Sequence, residues 1–340
     1  AKGNVIKPIE ISEIKRIFKK LKENPVESIA ICFINSYLNP AHELKLKEKL
    51  SLLGIPITIS FDILPEFREF ERASTTAINA YLLPVVGNYF KKLKKKLSNI
   101  KLYIQQSNGG WMTVNEAERF ASHTILSGPA GGVSGAFVLA KAFGKSKIIT
   151  FDMGGTSTDV CLIEERIPFT KEYILDGFPL SIPVIDIHTV GAGGGSIAYI
   201  DAGGALKVGP ESAGANPGPA CYGKSLLPTV TDANLVLGRL LPDTFLGGRF
   251  KLQKERALKA ISSLSQKLGL SVEETALGII KVANIIMSRA LKRVSIERGY
   301  HPKDFTLICF GGAGGLHACS LSKELEIKEI IIPKFAGSFS

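Results

Sequence analysis

Ile148-Ile149-Thr150-Phe151-Asp152-Met153-Gly154-Gly155-Thr156-Ser157-Thr158-Asp159-Val160-Cys161-Leu162-Ile163 sets two apolar runs about a tight polar turn. The β-branched and aromatic residues on either side predict a pair of strands. Two glycines let the backbone take positive φ and come close to an anion. The bare amides of such a turn suit a phosphate, and Thr156, Ser157 and Thr158 add hydroxyl donors. Asp152, at the strand end, is placed to hold a hydrated Mg2+ or orient a water, because Mg2+ favours carboxylates together with phosphate oxygens. Asp159 adds a second acid across the turn. The stretch points to nucleotide-dependent phosphoryl chemistry with Asp152 and Asp159 as candidate catalytic acids. The plainer alternative is an ordinary hairpin with a Gly-Gly turn.

Two further glycine turns recur along the chain. Thr189-Val190-Gly191-Ala192-Gly193-Gly194-Gly195-Ser196-Ile197 enters an apolar run, and Phe310-Gly311-Gly312-Ala313-Gly314-Gly315-Leu316-His317-Ala318 follows the strand-like run Phe305–Phe310. Helical spacing continues from Leu316 to Leu325. Strand, glycine turn and helix in that order allow backbone to approach a nucleotide and a helix start to face an anion. The candidate cofactor-binding residues are therefore Gly154, Gly155, Thr156, Ser157, Thr158, Gly193, Gly194, Gly311, Gly312 and Gly314.

The 340 residues, 45% apolar, suffice for two or more domains with sizeable cores. No apolar run approaches the ~18 residues of a membrane span, and no signal-peptide apolar core follows Ala1-Lys2-Gly3-Asn4. Five cysteines without a CxxC pair suit free buried thiols in a reducing cytoplasm. The net charge of +11 concentrates in Lys15–Lys22 and Lys91–Lys96, both of helical amphipathic spacing. Without a recognised nucleic-acid motif, these read as solvated lysine-rich faces rather than nucleic-acid patches.

Elements of both kinds alternate, which argues for an α/β fold with helices against sheets. Helices are expected at Ile9–Glu23, Pro40–Leu53, Glu66–Leu97 (broken near Pro84), Ser127–Lys141, Ala233–Gly238, Lys254–Leu268 and Val272–Arg293. Strands are expected at Ser28–Phe33, Ile55–Ser60, Lys101–Gln105, Asp186–Thr189 and Glu329–Ile332, with hairpins at 148–163 and 197–208. A proline- and glycine-rich loop spans Gly209–Pro228. Gly144-Lys145-Ser146-Lys147 suggests a boundary, giving domains 1–143 and 144–340.

Many ordered blocks carry a resemblance to a known family. They include Asn35-Ser36-Tyr37 with Pro40-Ala41-His42-Glu43, Glu69–Thr76, Gln106–Gly110, Ser127–Gly132, Phe151–Val160, Val190–Ile197, Val208–Tyr222, Thr229–Leu240 and Phe310–Ala318. Across nearly its whole length the chain resembles the hydantoinase A / 5-oxoprolinase family, with the β-type subunits of acetone and acetophenone carboxylases. The resemblance implies the ribonuclease-H-like fold of the actin/hexokinase/Hsp70 ATPases, whose two halves close on ATP. The Asp152–Asp159 hairpin resembles the second-half phosphate loop and Gly311–Gly315 the glycine turn against adenosine. The family's other phosphate hairpin, an acid followed by GGTFTD, has no counterpart here, so an internal fragment or split subunit is expected. Lys224-Ser225-Leu226-Leu227 replaces an Arg-Gly-Gly-like stretch, and Gly315 stands where many members have proline.

The implied activity is ATP- and Mg2+-dependent opening of a cyclic amide, hydantoin or 5-oxoproline, by phosphorylation of its carbonyl oxygen. The carboxylase branch would act on a ketone and bicarbonate; a non-catalytic actin-like assembly module is a further alternative. An oligomer with a hydantoinase B-type partner subunit is implied, with no nucleic acid and no membrane.

Some single residues leave alternatives open. Asp186 and His188, two apart on a strand, share a face and with Asp232 and Asp152 are candidate metal ligands; the alternative is a hydrogen-bonded pair fixing the Gly191–Ser196 loop. His317 would bond a nucleotide, cap a helix or pack in the core, the last two being favoured. Glu71 and Arg72 read as salt-bridged scaffold. Cys221, without an adjoining histidine, is not expected to be a nucleophile.

Overall fold

The computed structural model describes residues 3–340; Ala1 and Lys2, at the head of the stretch read for a signal sequence, lie outside the described residues. The described residues divide into two compact units, 3–130 with Phe169–Ile185, and Gly131–Pro168 with Asp186–Ser340. The division falls within the Ser127–Ala142 helix rather than at residues 143 and 144. Gly132 in that helix packs against the Phe310 ring and Gly135 against the Phe339 ring, which ties it to the second unit. Residues 169–185 join the first unit, where Ser74 Oγ donates to the Pro179 carbonyl and Ser181 N to Thr75 Oγ1.

In the first unit, parallel strands Ile29–Ile31 and Ile57–Ile59 pair. Ile31 and Ile59 bury with Ile14, Leu46 and Leu50 from the Ile11–Glu23 and Ala41–Leu50 helices. The long Glu69–Lys96 helix runs unbroken through Pro84, contrary to expectation. An interior proline costs about 3 kcal/mol, but packing holds the helix on both sides of it. Ile78 lies against Leu180, Ile182 and Val184, and Phe90 against Met112, Val114 and Ala117.

The sequence blocks 35–37, 40–43 and 69–76 converge here on one buried polar network. Glu43, fully buried, accepts from Phe33 N, Ser60 Oγ and Phe61 N. Arg72, equally buried, donates to Ser36 Oγ, the Phe33 carbonyl and Glu69. Charges taken out of water need such partners, although Arg72 Nε itself has none among the described residues. Arg72 is therefore scaffold, as expected, although its acid is Glu69; Glu71 pairs instead with Arg68.

Among its described residues, the second unit is built on a five-stranded sheet. From one edge to the other it runs His188–Val190, Thr158–Glu164, Lys147–Met153, Thr306–Phe310 and Glu329–Ile331. The first three strands in chain order are antiparallel neighbours and the last two join parallel. A parallel addition needs a crossover, supplied by helices Val230–Val236, Lys254–Leu268 and Val272–Val294. Ile149, Phe151, Met153, Val160 and Leu162 share a core with Ala276, Ile279, Ile280, Ala283 and Met287 of the last helix. Ser271 begins that helix with a capping box to Glu274.

On the sheet's other face, Phe310 is paired in register with Asp152 and meets the Ser127–Ala142 helix through Gly132. A Cβ at Gly132 would lie 2.6 Å from Phe310 Cε2 and 2.9 Å from Ser340 Cβ. Gly132→Val is therefore expected to lower stability by about 1–3 kcal/mol, as overpacking does. Gly128→Ala, with open space at the Cβ position, is the control. Urea unfolding midpoints of both variants check this; equal midpoints for the two would refute the close-packed contact.

Candidate active site

The hairpin closes in the expected register. Asp152 stands directly opposite Asp159, with Met153 opposite Thr158. Directly opposed residues share a face, and like charges there repel. Both acids are partly buried, and no ion pair joins either to a base among the described residues. Burial raises the Asp152 carboxyl above its ordinary range; a hydrogen bond from Ser340 opposes this and the Asp159 charge adds to it. Asp159 is also raised by burial, against a lowering bond from Thr189, its neighbour on the third strand. Two raised carboxyls without a base form an arrangement that a cation would relieve.

The turn between them is held by the second glycine loop. Gly154 N donates to Ser157 O and closes the tip. Gly194 N donates to Gly154 O at 3.0 Å, and Gly195 N to Gly155 O at 2.6 Å. The trans peptide is planar, with N–H and C=O pointing oppositely. Tying the 154 and 155 carbonyls to the loop therefore turns the Gly155 and Thr156 amides away from it. The amides of Gly155, Thr156 and Ser157, and the hydroxyls of Thr156 and Ser157, make no hydrogen bond among the described residues, and Gly155 and Thr156 are exposed. Consecutive free amides at an exposed turn make an anion nest.

The other candidates take different parts. Thr158 is buried and its hydroxyl donates to the Ala192 carbonyl. Gly193 and Gly194 have their amides engaged by Ser196 Oγ and Gly154 O, and a Cβ on Gly193 would fall 2.6 Å from Thr156 backbone atoms. These glycines permit backbone-on-backbone packing. Thr231, not foreseen, reinforces them, its N and Oγ1 both donating to Gly194 O. It lies 37 residues from Gly194, and no local pattern signals such a bond.

In the third turn, Gly311 has φ +81°, and a Cβ there would lie 2.3 Å from Asp152 Oδ1. Ala313 N donates to Met153 O, so the turn is pinned beside the acid. Gly314 is buried near Cys309 Sγ and Phe151, while Gly312 is exposed with open space around it.

The expected metal cluster does not assemble. Among the described residues no group of three or more His, Cys, Asp or Glu side chains is placed to hold a metal ion. Asp186 lies ahead of the His188–Val190 strand and pairs with Arg298 at 2.6 Å and 3.3 Å. His188 is held below the usual imidazole range by burial and by Arg293 and Arg298. Asp232 is fully buried and accepts from Ala220 N, Cys221 N, Thr229 N and Thr229 Oγ1, capping the Val230–Val236 helix. Its lone pairs are spent on the fold. Burial and the neighbouring Asp232 push the Cys221 thiol up, which leaves it unreactive.

The family of these residues follows from comparison. Models of the hydantoinase/oxoprolinase region and its N-terminal region match residues 72–340 and 1–53. The chain belongs to the hydantoinase/oxoprolinase family. It is 45% identical over 360 residues to the uncharacterized protein MJ0964 of Methanocaldococcus jannaschii, covering 100% of this chain and 53% of that one. To the caprolactamase subunit alpha of Pseudomonas jessenii it is 41% identical over 344 residues, covering 98% and 49%. The structure of the ATP-dependent caprolactamase from that organism superposes with a TM-score of 0.84 at 39% identity, covering 100% of this chain and 50% of that one. Nucleotide-free acetone carboxylase gives 0.85 at 31%, covering 98% and 49%. The chain thus spans about half the length of these relatives. No helix of the described residues is long and apolar enough to cross a membrane.

His317 proves to be a core residue. It is fully buried, and burial, with Arg239 nearby, lowers its pKa from 6.5 to about 4. Between those values an unfolded chain takes up a proton that the folded chain refuses. Stability carried by neutral His317 is present above pH 6.5 and is lost as pH falls towards 4, by about 3 kcal/mol if the whole shift is expressed. Urea titrations at pH 7 and pH 4.5 are expected to show a smaller acid loss in His317→Gln than in the unmodified chain. Equal acid losses would contradict a neutral buried imidazole.

Proposed function

We propose that this chain forms the nucleotide-binding part of an ATP-dependent enzyme that opens a small cyclic amide by phosphorylating its carbonyl oxygen. The observation that carries this reading is the braced hairpin tip, whose free amides at Gly155, Thr156 and Ser157 stand beside the opposed Asp152 and Asp159. The order of the second unit's sheet supports a ribonuclease-H-like half of the actin/hexokinase/Hsp70 type, three antiparallel strands followed by two parallel ones. The relatives' names, caprolactamase and ATP-dependent caprolactamase, support a cyclic amide and ATP.

In this reading the tip amides and the Thr156 and Ser157 hydroxyls cradle phosphate oxygens, which favours a transition state whose charge spreads over them. Asp152, with Asp159 opposite it, would hold Mg2+, in keeping with that ion's preference for one or two carboxylates plus phosphate oxygens. The metal would supply charge neutralisation at the transferring phosphoryl. Gly311–Gly315, pinned at Met153, would lie along the nucleoside. Transfer of the γ-phosphoryl to the amide oxygen, with ADP leaving, gives an imidate-like phosphate that is electrophilic at carbon. Water adds there, and the adduct expels the ring amine to leave an acyl phosphate. A second water releases phosphate and the carboxylate. A ketone carboxylase is the second reading, favoured by the equally good superposition on acetone carboxylase. The term subunit alpha in one relative's name supports a multi-subunit assembly, for which a hydantoinase B-type subunit is the partner we propose.

ADP release by the full-length protein with that partner tests the reading. Stimulation by caprolactam, 5-oxoproline or N-methylhydantoin is expected; stimulation only by acetone with bicarbonate would transfer the assignment to carboxylation. Asp152→Asn is expected to cut ATP turnover at least a hundredfold while the melting temperature holds or rises. The rise would come from removing a like-charge cross-strand pair, worth up to about 1 kcal/mol. Undiminished turnover in Asp152→Asn would overturn the role given to this acid.

A further inference from the structure

The third glycine turn lies beside Asp152. Its glycines carry no side chains to anchor it, and Gly311 adopts a left-handed conformation against Asp152. Gly311 N donates to Ala336 O and Ala313 N to Met153 O, which fix the front of the turn. Its rear is held by one side chain that the phosphate site does not use. His317 Nδ1 lies 2.6 Å from Asn284 Oδ1 on the Val272–Val294 helix. Its Nε2 lies 3.5 Å from Asn234 Nδ2 on the Val230–Val236 helix, the longer and weaker contact.

As the two amides are placed, they correspond to one protonation pattern. Asn284 Oδ1 can only accept, so Nδ1 carries the proton, and the amide nitrogen of Asn234 can only donate, so Nε2 is bare. This neutral tautomer satisfies both contacts at once. The His317 backbone is part of the turn itself, its N donating to Gly314 O and its carbonyl accepting from Leu321 N of the following helix. The ring is thus carried by backbone that closes the turn. The helix that carries Asn234 also carries Thr231, which bonds Gly194, and Gly194 bonds the hairpin tip. The Val230–Val236 helix thus bonds the second glycine turn through Thr231 and the end of the third through Asn234.

We propose that His317 is a positioning residue that bridges the Val272–Val294 and Val230–Val236 helices, seats the Gly311–Gly315 turn beside Asp152, and so sets nucleotide affinity. This rests on the ATP-binding reading above. Loss of the bridge loosens the surface expected to face the nucleoside and leaves the hairpin amides and the Asp152–Asp159 pair in place. Its signature is a rise in KM for ATP with kcat largely kept.

The experiment compares the full-length protein and its His317→Gln and Asn284→Ala variants, alone and combined, in ATP turnover and in ADP binding by calorimetry. Asn284 is only half-buried, so its replacement keeps the test open if His317→Gln does not fold. Each single variant is expected to raise KM for ATP and Kd for ADP about tenfold, as loss of one buried hydrogen bond would, with kcat within threefold. The double variant is expected to be no worse than the worse single, because both remove one interaction. Unchanged KM, additive losses, or a fall in kcat alone would overturn the proposal while leaving ATP binding intact. Failure of the unmodified protein to bind ADP or ATP would overturn the ATP reading, and this inference with it.

Discussion

Backbone hydrogen bonds between two glycine-rich segments hold the centre of the second unit. Gly194 and Gly195 donate to the carbonyls of Gly154 and Gly155 at the hairpin tip. Everything asked of the tip depends on this contact. Peptide planarity makes the anchoring of two carbonyls equivalent to aiming two amides, so the tip amides are aimed by the fold itself. The contact also explains the glycines. Side chains at Gly193, Gly194 or Gly195 would fall within 3 Å of Thr156, Thr231 or Gly155 atoms, so the second glycine loop serves close approach of backbone to backbone.

Around this brace the unit sets charge against burial. Asp152 and Asp159 face each other, partly buried and both raised above the usual carboxylate range. That arrangement costs stability in the free protein and lends itself to capturing a cation. Buried Asp232 shows the opposite use of the same side chain. Four donors satisfy it, and it locks the 220–221 turn to the start of a helix. One residue type serves either the site or the scaffold according to the donors that surround it. The buried Glu43 and Arg72 network plays the scaffold part in the first unit.

Much was legible in the sequence because the signals are local. Strand propensity and the Gly-Gly turn placed the 148–163 hairpin, and apolar periodicity placed the Lys254–Leu268 and Val272–Val294 helices. Pro84 misled because a local penalty was outweighed by packing on both sides of it. Asp186 and His188 looked like a same-face pair only if the strand began at Asp186; it begins at His188, and Asp186 turns to Arg298, 112 residues away.

By itself, the sequence determined the α/β alternation, the hairpin with its two facing acids, and the positions of the three glycine turns, because each is written in residues close along the chain. Only the tertiary structure decided which turns present amides and which are consumed in bracing. It also decided that Asp232 belongs to a helix start and His317 to the core between two helices. Those roles depend on hydrogen-bond partners brought together from distant parts of the chain, and a partner's distance in sequence carries no trace of its distance in space.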